Sequence, residues 1–240
     1  MKKMQITACA LAVLTITSLP SQAKDIEVKV AGTISPSGCT PTLSGDGAID
    51  YGVIKSDSLA LDAYTTLEQK FLELTITCDA PVKLALEAKN GRPNTLAGVA
   101  TEDAISGAAL SPTGSALEVL STATAVVGLG VSGSARIGGY ALMAAAVTFK
   151  TDGTDAQLIT REGNSGEWEE YYGIAESNNF YSIGVKRQLS WKNGSIKEPA
   201  AFQKLTGKVK VQAYINKASE LDLTKPVILD GLTTLELVYL

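Results

Sequence analysis

A single antiparallel β-sandwich is the fold class this sequence predicts, on three observations. About nine short runs alternate apolar with polar residues at the period of a half-buried strand. Turn signals such as Asn90-Gly91, Asp152-Gly153 and Asn193-Gly194 punctuate those runs. No stretch carries a convincing long helical pattern, and no linker is long or polar enough to separate a pair of domains.

The first run is Ile26, Val28, Val30, Gly32 and Ile34. It has no hairpin partner upstream, so its backbone must find hydrogen bonds elsewhere in the molecule or in another copy. Ser35-Pro36-Ser37-Gly38-Cys39-Thr40-Pro41 then ends it, because each proline removes a ladder donor. Residues 48–55 suggest a short second strand with Gly52 as a bulge. From Leu72 to Cys78 the alternation is clean and turns Leu72, Leu74, Ile76 and Cys78 inward. Val82, Leu84, Leu86 and Ala88 continue the pattern, alternating with Lys83, Ala85, Glu87 and Lys89.

Residues 92–136 are the least regular stretch, rich in Ala, Gly, Ser and Thr. They hold a strand around 125–131 and a weak helical signal at 116–120. Strands are expected over 140–150 and 156–161, with a polar stretch at 162–172 and strand residues at 179–186 and 188–191. Residues 205–215 form the strongest late strand. Val209, Val211, Ala213 and Ile215 face the core, and Lys208, Lys210, Gln212 and Tyr214 are expected to border water. The last run, 232–240, places Leu235, Leu237 and Tyr239 on one face and ends in the Leu240 carboxylate.

Residues 1–23 read as a signal peptide: Lys2 and Lys3, an apolar run from Ala8 to Leu19, and small residues at Ser21-Gln22-Ala23. The apolar run falls short of the roughly eighteen residues that a bilayer span needs. Cleavage before Lys24 leaves 19 basic against 25 acidic side chains, a net charge of −6. That acidity argues against nucleic acid, whose phosphates demand clustered positive charge. Cys9 leaves with the signal, and in an oxidising compartment Cys39 and Cys78 are expected to pair.

The chain contains no histidine. This removes the usual base of a nucleophilic triad and the commonest nitrogen ligand of zinc. No catalytic residue, metal set or cofactor fingerprint is expected; Gly128-Leu129-Gly130 lacks the third glycine and the strand-helix context of a nucleotide loop. The run Glu167-Trp168-Glu169-Glu170-Tyr171-Tyr172 could imitate a sugar site, but neighbouring residues on a strand point apart, and glycosidase chemistry needs two carboxyl groups across a cleft. It is expected to be a solvated loop.

Signal peptide, leading alternating strand with one glycine in register, two cysteines 39 positions apart, and a terminal strand with tyrosine second from the end together resemble subunits of chaperone-usher fimbriae, most of all the β-fimbriae subunit group. The resemblance covers both ends and the cysteine pair. It implies an immunoglobulin-like sandwich that lacks its last strand. A periplasmic chaperone fills the open groove first, and the leading strand of the next subunit replaces it at an outer-membrane usher.

Carried onto this chain, the resemblance makes residues 24–35 the donor segment, with Ile26, Val28, Val30, Gly32 and Ile34 as donor residues. Residues 36–240 become the pilin-like domain, with Cys39 and Cys78 tying its first strand to a neighbour. Leu235, Leu237 and Tyr239 edge the groove, and the Leu240 carboxylate is what a chaperone grips. The expected partners are chaperone, usher and other fimbrial subunits, the route is through the periplasm to the cell surface, and no catalysis is expected. A fimbrial adhesin or minor tip subunit that binds a host or surface carbohydrate is the alternative. One departure stands out: the glycine that pilin subunits commonly carry about fourteen residues from the end is replaced by Val227, and the nearest glycine is Gly231.

Overall fold

The computed structural model describes residues 38–113, 124–170 and 178–240. The leading strand, the signal peptide and the weak helical signal at 116–120 lie outside the described residues. Nine main strands are β1 (Cys39–Leu43), β2 (Lys70–Val82), β3 (Leu84–Asn90), β4 (Ala125–Gly128), β5 (Gly138–Ala144), β6 (Gln157–Glu162), β7 (Arg187–Lys192), β8 (Phe202–Ile215) and β9 (Thr233–Tyr239). Two-residue ladders and single 3-10 turns fill the connections, and no longer helix occurs among the described residues.

Two large antiparallel sheets result, beside a two-stranded ribbon of Val131–Ser132 and Ala135–Arg136. The first runs β1-β2-β8-β5-β4, with Ala109–Leu110 beyond β4; the second runs β6-β7-β3-β9, with Glu169–Glu170 beyond β6. Every named ladder is antiparallel. β1 and β9 are therefore edge strands, one in each sheet, and the expected sandwich is what forms.

The alternating pattern explains the core. Leu74, Ile76 and Cys78 from β2, Val209, Val211 and Ala213 from β8, and Leu84, Leu86, Leu189 and Trp191 from the facing sheet form one buried cluster. Trp191 packs between Phe149 and Phe202, with ring centroids 5.0 and 6.3 Å away. Each fully buried side chain of this size contributes about 1.5–3 kcal/mol.

Four expectations are corrected. Residues 48–55 form no strand, because Gly52 adopts a positive φ of 65° and donates its N–H to the Asp50 carboxylate at 2.7 Å, a local turn that interrupts extension. The run through Val82 to Ala88 is broken at Lys83, where the chain crosses from the first sheet to the second. Both faces of β3 are covered there, since Ala85 and Glu87 are buried with Leu84 and Leu86; Lys186 pairs with the Glu87 carboxylate at 2.9 Å and Gln188 donates to it. Residues 178–186 are held without a strand: Asn179 donates to the Ala125 carbonyl and Phe180 to that of Leu142, which seats Phe180 and Tyr181 in the core.

The outer face of β8 is the fourth. Lys208 is exposed as expected, but Gln212 and Tyr214 are buried. Residues from the irregular stretch, Leu96 and Ala97, join Val126, Ala141 and Met143 in a second small core around Tyr214. The Tyr214 hydroxyl donates to the Ala97 carbonyl at 2.7 Å, so the ring is covered and its one polar atom satisfied.

Candidate functional site: an open groove between two sheet edges

β1 and β9 meet at one end only. The Cys39 amide donates to the Tyr239 hydroxyl at 3.0 Å, and the Cys39–Cys78 disulfide joins β1 to β2 at a directly paired position. Beyond that point the edges diverge. Between them lies a cavity of 280 Å³ floored by Val209, Val211 and Ala213 of β8 and by Tyr140 and Leu142 of β5. Leu43, Ile49 and Tyr51 wall one side; Leu229, Gly231, Thr233 and Leu235 wall the other.

The cavity does not stop there. It shares Ile49, Tyr51 and Leu229 with a second hollow of 710 Å³ over Ile137, Ile215 and Leu221. Val53 and Ile228 stand on the rim of that second hollow, 96% and 77% exposed. The first hollow is mainly apolar and the second mixed, with Asp50, Ser56, Thr224 and Lys225 among its walls; a cleft with apolar side chains on its lip is the kind of surface that marks an interaction site.

The two walls are built differently. On the β9 side, Arg92 makes a bidentate pair with Asp230 at 2.8 and 2.7 Å, the Asp230 amide donates to the Leu129 carbonyl, and the Gly91 amide donates to that of Leu232. The Arg92 guanidinium holds the Asp230 carboxyl below the usual carboxylate range. Thr233 lies between two buried tyrosines, its hydroxyl 2.6 Å from that of Tyr140 and 2.9 Å from that of Tyr181. Burial pushes the Tyr140 phenol up to about 12 and Tyr181 higher still. Gly231 is required here, since a Cβ would stand 2.8 Å from the Tyr140 ring and 2.9 Å from Leu129.

Across the trough, residues 48–55 pair with no strand. Lys70 donates to the Asp50 carbonyl at 2.9 Å and sits 5.2 Å from the centre of the Tyr51 ring. Burial raises the Tyr51 phenol to about 12, partly offset by the Ala213 backbone.

The edges themselves carry backbone chemistry. β9 is laddered to β3 on one side alone and β1 only to β2, which leaves rows of N–H and C=O groups beside the apolar trough. Such an edge can template an added strand.

Of the site residues read from the sequence, Leu235 lines the trough and Leu237 packs half-buried against the core. Tyr239 is 52% exposed and reaches Cys39, and Leu240 donates its amide to the Lys83 carbonyl at 3.1 Å. Ile26, Val28, Val30, Gly32 and Ile34 lie outside the described residues. Sequence reasoning missed Ile49, Tyr51, Tyr140, Leu229, Gly231 and Thr233. For the wall at 221–231 a signal existed: Leu221, Leu223, Val227 and Leu229 recur at even spacings.

The acidic aromatic run is used otherwise. Arg161 lies 4.6 Å from the centre of the Trp168 ring, and Glu170 is bound to the buried Lys192 at 2.5 Å, which lowers its pKa. Glu169, its neighbour, is exposed. Tyr171 and Tyr172 lie outside the described residues.

Fold and site together define an all-β sandwich whose open trough separates two unpaired edges. Residues 28–141 match a family described as "Protein of unknown function (DUF1120)". The chain is similar to Protein GltF of Escherichia coli (strain K12), 31% identical over 91 residues that make up 36% of each chain. It is also similar to the uncharacterized protein YhcF of the same organism, 23% identical over 236 residues, or 93% of this chain and 94% of that one. The likeness to GltF thus spans little more than a third of that protein. No solved structure matches the chain.

Proposed function

We propose that this protein is a structural subunit of a surface fimbria, exported through the periplasm and polymerised by strand exchange. The open apolar trough between β1 and β9 is the observation that carries the reading. The occupant is the leading segment of a second copy, whose Ile26, Val28, Val30 and Ile34 alternate at the period a sheet edge accepts. Burial of four aliphatic side chains contributes roughly 6–12 kcal/mol before ordering costs, with a backbone ladder added.

Each copy donates one segment and accepts another. Such a head-to-tail contact does not close on itself, and it propagates as a filament. Before assembly the trough is an aggregation hazard, so a periplasmic chaperone covers it and an outer-membrane usher exchanges that cover for the next subunit. The work of the molecule is then assembly, without catalysis or cofactor.

The test is a deletion of residues 24–34 in cells that make the matching chaperone and usher, followed by electron microscopy of the cell surface. Filaments are expected to disappear while the subunit persists in the periplasm. Intact filaments of the shortened chain would defeat the reading.

A further inference from the structure

Along β9, Leu235 and Leu237 turn toward the core, and Glu236 between them pairs with Lys89 of β3 at 2.6 Å while its side chain remains 41% exposed. Its outward neighbours Thr234 and Val238 carry no charge. A leading segment that buries Ile26, Val28, Val30 and Ile34 turns Asp25, Glu27, Lys29, Ala31 and Thr33 outward. From this complementarity we infer that residues 24–34 of a second copy lie antiparallel to β9 with Lys29 directly opposite Glu236. The inference rests on the strand-exchange reading and specifies its register.

Three features select this register. β3 already sets Glu87 directly opposite Glu236, offset by Lys186 and Lys89, so a further acid on the other side of Glu236 would add like charge that nothing offsets. A slip of two residues, the smallest that keeps the apolar face inward, sets Glu27 against Glu236, and a slip of four sets Asp25 there; a slip the other way brings Ala31 and forfeits the pair. Second, with Lys29 at Glu236, Gly32 falls opposite Thr233, where the Tyr140 and Tyr181 hydroxyls converge, and brings no side chain against that hydroxyl cluster. Third, Val28 and Val30 fall opposite Leu237 and Leu235, and Ile34 opposite Gly231, one step from Leu229 where the smaller hollow opens into the larger. Antiparallel pairing is the choice of each ladder between the named strands and the more stable one per residue.

Paired cysteines read the register directly, because a disulfide needs Cα atoms within about 7 Å. In the mature full-length chain, Glu236→Cys is combined in turn with Lys29→Cys, Glu27→Cys and Asp25→Cys, and oxidised samples are run on non-reducing gels. Covalent ladders are expected from the Lys29→Cys combination, at least about tenfold above the other two. Ladders dominated by Glu27→Cys or Asp25→Cys, or polymer without any ladder, overturn the register and leave strand exchange standing. No ladder from any combination, with light scattering showing monomer alone, overturns both.

Charge reversal gives a second reading that introduces no cysteine. Lys29→Glu and Glu236→Lys are each expected to slow polymerisation about threefold, as suits an exposed pair, and the double reversal to restore the rate. Equal rates in all four proteins contradict the pairing.

Discussion

The two walls of the trough invite comparison. The β9 wall is held by the Arg92–Asp230 pair, by backbone bonds at Gly91 and Asp230, and by a hydroxyl triad of Thr233, Tyr140 and Tyr181. The wall at 48–55 depends on one lysine that caps the Asp50 carbonyl and on half-buried Ile49, Tyr51 and Ile54. Both walls are apolar, but the β9 wall is braced by several hydrogen bonds and the wall at 48–55 by the one from Lys70 of β2. A braced edge can fix the register of an added strand, while a wall without a ladder retains backbone groups for that strand to pair with.

If this contrast governs the molecule, substitutions should separate into those that cost stability and those that cost assembly. Cys39→Ser should have the largest effect. It releases β1, an edge strand laddered on one side, and removes the constraint of a loop closed across 39 positions. About 4 kcal/mol of stability is at stake in the chain-entropy picture, and periplasmic yield should fall with it. Urea unfolding measures the loss, and an unchanged midpoint would show that β1 needs no clamp.

Thr233→Val comes next. It preserves shape but leaves two buried phenols without their shared partner, at a cost of about 3 kcal/mol in thermal unfolding. A cost near zero would mean that the β9 wall is braced elsewhere. On the opposite rim, Val53→Ser should change stability by less than about 0.5 kcal/mol, because Val53 is almost fully exposed. It should nevertheless slow polymerisation, which light scattering follows. A stability loss as large as that of Thr233→Val would erase the distinction between the walls.

Much of the fold is legible because period-two alternation reports burial directly. Leu72 to Cys78 and Val209 to Ile215 show it: their inward faces are those the pattern names. The misreadings have two causes: alternation records a residue's face but not what lies over it, and a local turn can cancel a run of strand composition. The pattern assigns Tyr214 and Gln212 to water because nothing in residues 92–113 announces that Leu96 and Ala97 fold back over β8. Residues 48–55 have strand composition, and a single Asp50–Gly52 turn beside an open edge cancels it.

The site is legible at its ends and hidden in its middle. Cys39, Cys78 and Leu235 follow from spacing and alternation, and the disulfide is present. Tyr140, Thr233 and Gly231 come from distant stretches of the chain, and only the packing of β5 beneath β9 reveals that one tyrosine ring sets the depth of the trough.

The central claim is that β9 is a template waiting for a strand. Hydrogen exchange of the mature protein, measured by mass spectrometry with and without a synthetic peptide of residues 24–36, tests it most directly. Protection should appear along residues 233–239 and 48–55 and be absent elsewhere. Saturating peptide that leaves exchange at residues 233–239 unchanged would contradict the account.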